Sequence, residues 1–340
     1  MISGFATSKE TIKYLDEHGI INRETPWFSF SPIAIGTHLG NMDDTDSILY
    51  QESIEYGLIN GINFIDTAIN YRGMKSERDV GIVLTKLIEN NILQRNEIVI
   101  STKAGIIPGD IDAQLVPRDY LKKILLDGEI IKVSDLNIVE NHRHVLAPSY
   151  YKFAIEQSKK HLRINTIDIH YIHNPEISME VLGDSTFYKV LEPLFLFYEE
   201  QVSMGNICFY GFATWDGLLC NPGERGYISL ERVINTLKKV VGEKHHFKFI
   251  QCPYNMSFNN AKTKKNQKVN QNYLSLLEAA KELDLTVVSS APFNLGKLVR
   301  NGGNPDNILS SNLNIKEIYS IMVGMKNVEN VIKNIELIRK

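Results

Sequence analysis

Four side chains of this 340-residue chain stand where apolar runs end and could share one reaction: Asp66, Tyr71, Lys103 and His173. The stretch "NFIDTAINYRGMKSE" (63 to 77) starts as a buried strand and then places a carboxylate and a phenol at its rim, beside an Arg72-Gly73 turn. A phenol of pKa ~10 is a poor acid or base near neutrality, but a neighbouring ammonium favours phenolate and eases proton transfer. Lys103 can supply that ammonium and Asp66 can hold it. His173 is then left to hydrogen-bond a carbonyl oxygen and polarise it. This division of labour suits a carbonyl becoming an alcohol. No protein side chain donates hydride, so a nicotinamide cofactor is implied.

For the four to meet, they must sit on elements that converge. Eight short, β-branched, apolar runs read as buried strands: 32 to 36, 62 to 66, 97 to 102, 167 to 173, 206 to 213, 247 to 252, 285 to 291 and 319 to 324. Helical spacing fills the gaps between them. Val80, Val83, Leu84, Leu87 and Ile88 share one face after a start at Ser76-Glu77, and Val328, Val331, Ile332, Ile335 and Ile338 repeat the pattern. Asp43, Asp44 and Asp46 open a helix that Gly61 should stop. Eight alternations without a Gly/Ser/Pro linker predict a single-domain α/β fold, a (β/α)8 TIM barrel. An open doubly wound sheet would show a Gly-rich turn after its first strand, and "IGTHLGNMDD" lacks GxGxxG. Residues 1 to 31 form an N-terminal extension, and 105 to 148 form a long insertion after the third strand. That insertion leaves the carboxyl end of a strand, so a specificity loop over the active-site face is expected, with Pro117 and Gly128 bracketing a short helix.

Composition narrows the field. The net charge is -3 and the pI about 6.3, so no global field recruits nucleic acid or a membrane surface, and a small-molecule partner is expected. Cys208, Cys220 and Cys252 have no CxxC spacing and read as ordinary thiols of a reducing compartment. The polar amino terminus and the absence of any apolar run near ~18 residues predict a cytoplasmic protein.

In this order and at strand ends, "DTAINYRGMKSE", "EIVISTK", "DIHYIHNP", "IQCPYN" and "VGMKNVENVIKN" are similar to the motifs of the aldo-keto reductase superfamily. The resemblance spans roughly 32 to 338. It implies a (β/α)8 barrel that uses NADPH or NADH without a Rossmann domain. It implies Tyr71 as general acid, Lys103 and Asp66 as its tuning pair, and His173 as the carbonyl-orienting group. For the cofactor it implies Gly36, Thr37 and Asp66 along the first strands, Gln251 on the nicotinamide carboxamide, and Gly324, Lys326 and Asn334 around the adenosine phosphate. The chain departs from the family pattern in three places. Ala213-Thr214 replaces Ser-Asn, leaving Thr214 one hydroxyl, and Ser289 or Ser290 replaces the tyrosine that stacks beneath the nicotinamide, with Phe293 a substitute ring. Asn330 and Lys333 replace the arginine and glutamate of the phosphate segment. Lys326 and Lys333 could still neutralise a 2'-phosphate as point charges, so NADPH is favoured with NADH possible.

Three readings compete. The leading one is an NAD(P)(H)-dependent reductase of an aldehyde or ketone, reversible toward the alcohol. The second is a nicotinamide-binding barrel with a regulatory or redox-sensing role and little turnover. The third is a hydrolase or lyase using Lys103 as a Schiff base or His142 and His144 as metal ligands, the HxH lying in a predicted loop; no metal is expected. The substrate wall is expected from Arg118, Tyr120, His142, Arg143, Asn174 and Trp215, which admit sugars or other polar carbonyls.

Overall fold

The structure, a computed structural model, describes residues 1 to 340. Its centre is a closed parallel barrel of eight strands: β1 Ile33–Gly36, β2 Phe64–Asp66, β3 Val99–Ala104, β4 Ile167–His173, β5 Ile207–Ala213, β6 Phe247–Pro253, β7 Thr286–Ser290 and β8 Ile318–Gly324. Neighbours in sequence are neighbours in space, and β8 pairs with β1 to close the ring. Each apolar run of the sequence becomes one strand. The outer ring is α1 Asp44–Ile59, α2 Lys75–Glu89, α3 Pro148–Leu162, α4 Glu176–Ser203, α5 Leu230–Val241, α6 Leu276–Glu282, α7 Pro305–Leu313 and α8 Val328–Glu336. One apolar layer fills the space between strands and helices. A second, inside the barrel, takes Ala34, Phe64, Val99, Ile169, Ala213, Phe249 and Val288 from the first seven strands.

The N-terminal extension plugs one end of that inner layer. Phe28 and Phe30 enter it, Phe30 stacking on Phe64 with ring centroids 4.6 Å apart and Phe28 on Phe249 at 5.8 Å. Buried Asp168 on β4 then ties the extension to the strands. It accepts the Ala6 N–H at 2.7 Å, the Ile100 N–H at 2.8 Å and Arg95 at 2.7 Å. The plug stands at the amino ends of the strands. The carboxyl ends are left to the cavity described below.

Local signals held where packing agreed with them. Asp43 caps α1 by accepting the Asp46 N–H, and Gly61 follows that helix at φ +109°, where a Cβ would fall 2.5 Å from Ile20. Three expectations need correction. The second helix starts at Lys75, and Ser76 and Glu77 do not cap it: Ser76 Oγ donates to Thr37 O, and buried Glu77 accepts from Thr102. Ile332 points outward, because Val331 and Ile335 of α8, with Ile338 just beyond it, are the residues buried against the barrel. His142 and His144 lie on a strand, His142–Val145, which pairs with Leu136–Val139 in a hairpin of the 105 to 148 insertion. The helical turn from Pro117 continues through Leu126, and Gly128 lies just beyond it.

Candidate active site

Asp66 ends β2 with its carboxylate buried and fully employed. Oδ2 takes the Lys103 ammonium at 2.7 Å, and Oδ1 takes Ser101 Oγ at 2.7 Å and Gln251 Nε2 at 2.9 Å. Lys103, on β3, has no exposed surface, and its ammonium also donates to Thr67 O at 2.8 Å. Burial works against that charge, but Asp66 and Tyr71 outweigh it, so the Lys103 pKa lies above its ordinary value. Two of three ammonium protons are spent on Asp66 and Thr67. The third remains for Tyr71, whose ring centroid is 4.9 Å from Nζ.

Tyr71 is aimed by the turn that follows it. Arg72 and Gly73 both take left-handed backbone angles, φ +48° and +60°. The buried Arg72 guanidinium bonds Asp79 at 2.6 Å, Asn41 O at 2.8 Å and Ser47 at 2.9 Å, locking α1 and α2 around the turn. Lys103 pulls the phenol toward phenolate, as expected, but burial acts against it. Burial raises the Tyr71 pKa more than Lys103 lowers it. The phenol therefore carries its proton at neutral pH, the form that can donate.

His173 closes β4 with its ring 5.8 Å from that of Tyr71 and nearly perpendicular to it. Burial first, then Lys103, His38 and His144, hold its pKa well below the ordinary value, so the ring is neutral. Its Nδ1 is buried without a partner. His144 fixes the backbone beneath it: Nε2 lies 2.7 Å from His173 O and Nδ1 2.6 Å from Ser178 Oγ. Since a carbonyl only accepts, Nε2 carries the proton and Ser178 donates to Nδ1. Both nitrogens are engaged, so His144 is a positioning residue; burial pushes its pKa down to about 4.

Asp66, Tyr71 and His173 open into one cavity of about 960 Å³ at the carboxyl ends of the strands, close to the upper end of ligand pockets, about 1,000 Å³. Gly36, Thr37, Thr214, Gln251, Ser290 and Gly324 line it, as the resemblance implies. Ser290 faces the cavity while Ser289 is buried behind it, and Phe293 is the aromatic ring on that wall. Lys326 and Asn334 do not line it. Lys326 is held by both oxygens of Asp46, at 2.9 and 3.0 Å, and Asn334 is buried on α8. Gln251 is only partly free, since one Nε2 proton already serves Asp66, leaving its second N–H and its carbonyl oxygen. Of the expected substrate wall, His142, Asn174 and Trp215 line the cavity, whereas Arg118, Tyr120 and Arg143 do not.

Three features fit a nicotinamide nucleotide. The Thr214 hydroxyl is buried, unpartnered and on the cavity wall. A Cβ at Gly36 would press the Val323 carbonyl at 3.3 Å. Beyond Gly324, α8 starts at Val328 after an N-cap, Asn327, whose side chain makes no capping bond, leaving N–H groups for an anion.

Two residues not singled out in the sequence line the same cavity. His38, one residue past Thr37, places its ring 4.6 Å from Tyr71. Glu176, just after "HNP", is buried on the cavity wall. Nothing in spacing alone singled out either; each was one more polar residue after a strand. No group of three or more His, Cys, Asp or Glu is placed to hold a metal ion, and no helix is long and apolar enough to cross a membrane.

No curated protein matches the sequence. Among solved structures, the chain is similar to the aldo-keto reductase AKR11C1 from Bacillus halodurans, in its holo form, at 17% identity and TM-score 0.62 over 94% of this chain and 91% of that one. An aldo/keto reductase from Klebsiella pneumoniae, solved with NADP and acetate, aligns at 15% and 0.60 over 95% and 90%. The glycerol dehydrogenase AKR11B4 from Gluconobacter oxydans aligns at 16% and 0.59 over 94% and 89%. Identities this low carry the fold alone. The model of the Aldo/keto reductase family matches residues 32–311, most of the chain and seven of the eight barrel strands. On that match the chain belongs to the aldo/keto reductase family of oxidoreductases.

Proposed function

We propose that this protein reduces an aldehyde or ketone to the alcohol, reversibly, with NADPH as cofactor and NADH as a weaker substitute. The observation that supports this most is the buried Asp66-Lys103 pair beneath a protonated Tyr71, with neutral His173 facing the same cavity. The nicotinamide supplies the hydride when bound. Gly36, Thr37, Thr214, Gln251 and Ser290 would hold it, with Gly324 and the start of α8 toward the phosphates. A substrate carbonyl oxygen accepts from the Tyr71 hydroxyl and from His173, so its carbon becomes electrophilic. As negative charge develops on that oxygen, the Tyr71 proton moves to it, and Lys103 stabilises the phenolate left behind. Asp66 keeps Lys103 charged and in place throughout.

NADPH is favoured because the Klebsiella pneumoniae relatives are solved with NADP and with NADPH. In this chain Lys333 is the exposed cation of the segment and Lys326 must be shared with Asp46. Tyr71→Phe tests the mechanism. Turnover of a carbonyl panel should fall by about 10²-fold or more, while calorimetric affinity for NADPH stays within about twofold, since the ring is kept and only the proton donor is lost. Near-native turnover by the variant would remove Tyr71 from the role of acid. Tight cofactor binding with negligible turnover by the unaltered protein over the whole panel would favour a regulatory barrel.

A further inference from the structure

The lining of the cavity carries more negative charge than the reaction needs. Glu140, Glu176, Glu180 and Asp216 line it, and the only guanidinium there, Arg225, is paired with Glu180 at 3.0 Å. Glu140, Glu176 and Asp216 have no ion pair, Lys264 acting on Asp216 only from beyond ion-pair distance. Glu176 is the central member. It is only 8% exposed, its Oε1 accepts the Trp215 N–H at 2.5 Å, and its Oε2 has no partner at all. The wall is shaped around this carboxylate: a Cβ at Gly217 would lie 2.7 Å from Glu176 Cβ and 3.3 Å from Oε2. Gly226, at φ +83°, leaves Glu180 its room in the same way.

A buried carboxylate oxygen without a donor is costly, and nearby negative charge adds to the cost. Burial, with Asp216 adding to it, pushes the Glu176 pKa up to about 7. The N-terminus of α4 offers Glu176 a partial positive charge of about one half, which is less than the full charges on Asp216 and Glu140. What the wall lacks is a cation with an N–H to give.

We infer that Glu176, with Asp216 and Glu140, forms a subsite for a protonated amine, so that the favoured substrate is a carbonyl compound bearing an ammonium group away from its reacting carbon. The inference rests on the reductase reading of the same cavity. The ammonium donates to Glu176 Oε2, and its charge offsets Asp216 and Glu140. The same wall repels substrates with a carboxylate or phosphate at that end. Apolar Ile177, Trp215 and Phe293 receive the part of the substrate between.

The test uses para-substituted benzaldehydes of similar shape, with NADPH and with NADH. The substituents are dimethylaminomethyl (protonated at pH 7), isobutyl (its neutral isostere), hydroxymethyl and carboxylate. The unaltered protein should show kcat/KM for the ammonium compound about tenfold or more above the isobutyl one, the scale of a charged hydrogen bond, and the carboxylate compound should be poorest. Glu176→Gln keeps an acceptor for the Trp215 N–H and removes the charge. It should bring the ammonium and isobutyl compounds to within about threefold of each other while leaving the isobutyl value within about twofold of native, as loss of a single charged contact requires. Turnover of the isobutyl compound without an ammonium preference, or a hydroxymethyl compound outrunning the ammonium one, would overturn the inference and leave the reductase reading intact. An equal loss on all substrates in Glu176→Gln would make Glu176 a structural residue and overturn it too. Failure of the unaltered protein to reduce any of the four would overturn the reductase reading, and this inference with it.

Discussion

Asp66 serves three donors at once, so its charge is both structural and chemical. It neutralises a lysine with no exposed surface, orders Ser101, and holds the Gln251 amide that would otherwise be free for a ligand. Asp66→Asn keeps the shape and removes the charge. The Lys103 ammonium is then buried without a counter-ion, which costs about 3–5 kcal/mol when one partner of such a pair is lost. Lys103 responds by releasing its proton more readily, and Tyr71 loses the ammonium that opposes its desolvation. Denaturant unfolding should show a midpoint lowered to match, and carbonyl reduction should fall by about 10²-fold or more. A variant of native stability would mean that the pair is not desolvated as its burial indicates. The type and order of Asp66, Tyr71, Lys103 and His173 were legible in the sequence because each follows an apolar run. The sign of the Tyr71 shift was not, because it depends on how deeply the ring is enclosed. His38 and His173, from two other strand ends, are the rings beside it.

At the scale of elements, the 105 to 148 insertion is joined to the barrel mouth by His144. Its hairpin presents Ile138, Glu140 and His142 to the cavity, and the Val145 N–H bonds Gly105 O at 2.9 Å alongside. His144→Ala would free the His173 carbonyl and Ser178 together. Two buried partners would be left unsatisfied, about 1–3 kcal/mol each. Amide exchange at Val145 and Ile107 should quicken before that of the barrel strands, and KM should rise more than kcat falls, since the hairpin lines the substrate side. Unchanged protection at Val145 would show that the strand pairing, rather than His144, holds the hairpin down. The barrel strands were readable one by one, because buried parallel strands are near-continuous apolar runs. The hairpin was not. "NIVENHRHV" is short, polar and interrupted, and its pairing is stabilised by the barrel rim it sits on, so its histidines read as loop residues with metal spacing.

Across the whole molecule, the buried histidines set how the fold answers to acid. Burial lowers the pKa of His144 and His245 to about 4 and of His170 to about 3, and moves His173 in the same direction. In the unfolded chain each returns to about 6.5. Between roughly pH 4 and 6.5 the unfolded state therefore binds protons that the native state refuses, so stability rises with pH there. The contribution is complete above about 6.5 and is lost as pH falls through the native values. For His144 alone the loss amounts to about 3 kcal/mol. Glu176 acts the other way. Its native pKa of about 7 exceeds the unfolded carboxyl value of about 4.3, so it costs stability as pH rises through that interval. Four histidines outweigh it. Denaturant midpoints should fall steadily from pH 7 to pH 4.5, and His170→Leu should flatten the slope whatever it does to stability at pH 7. Glu176→Gln should steepen the slope instead, because it removes the one opposing group that titrates near neutrality. A midpoint independent of pH over this range would mean that these histidines are hydrated and titrate at ordinary values. The unpartnered Nε2 of His170 would then be the first place to find the water.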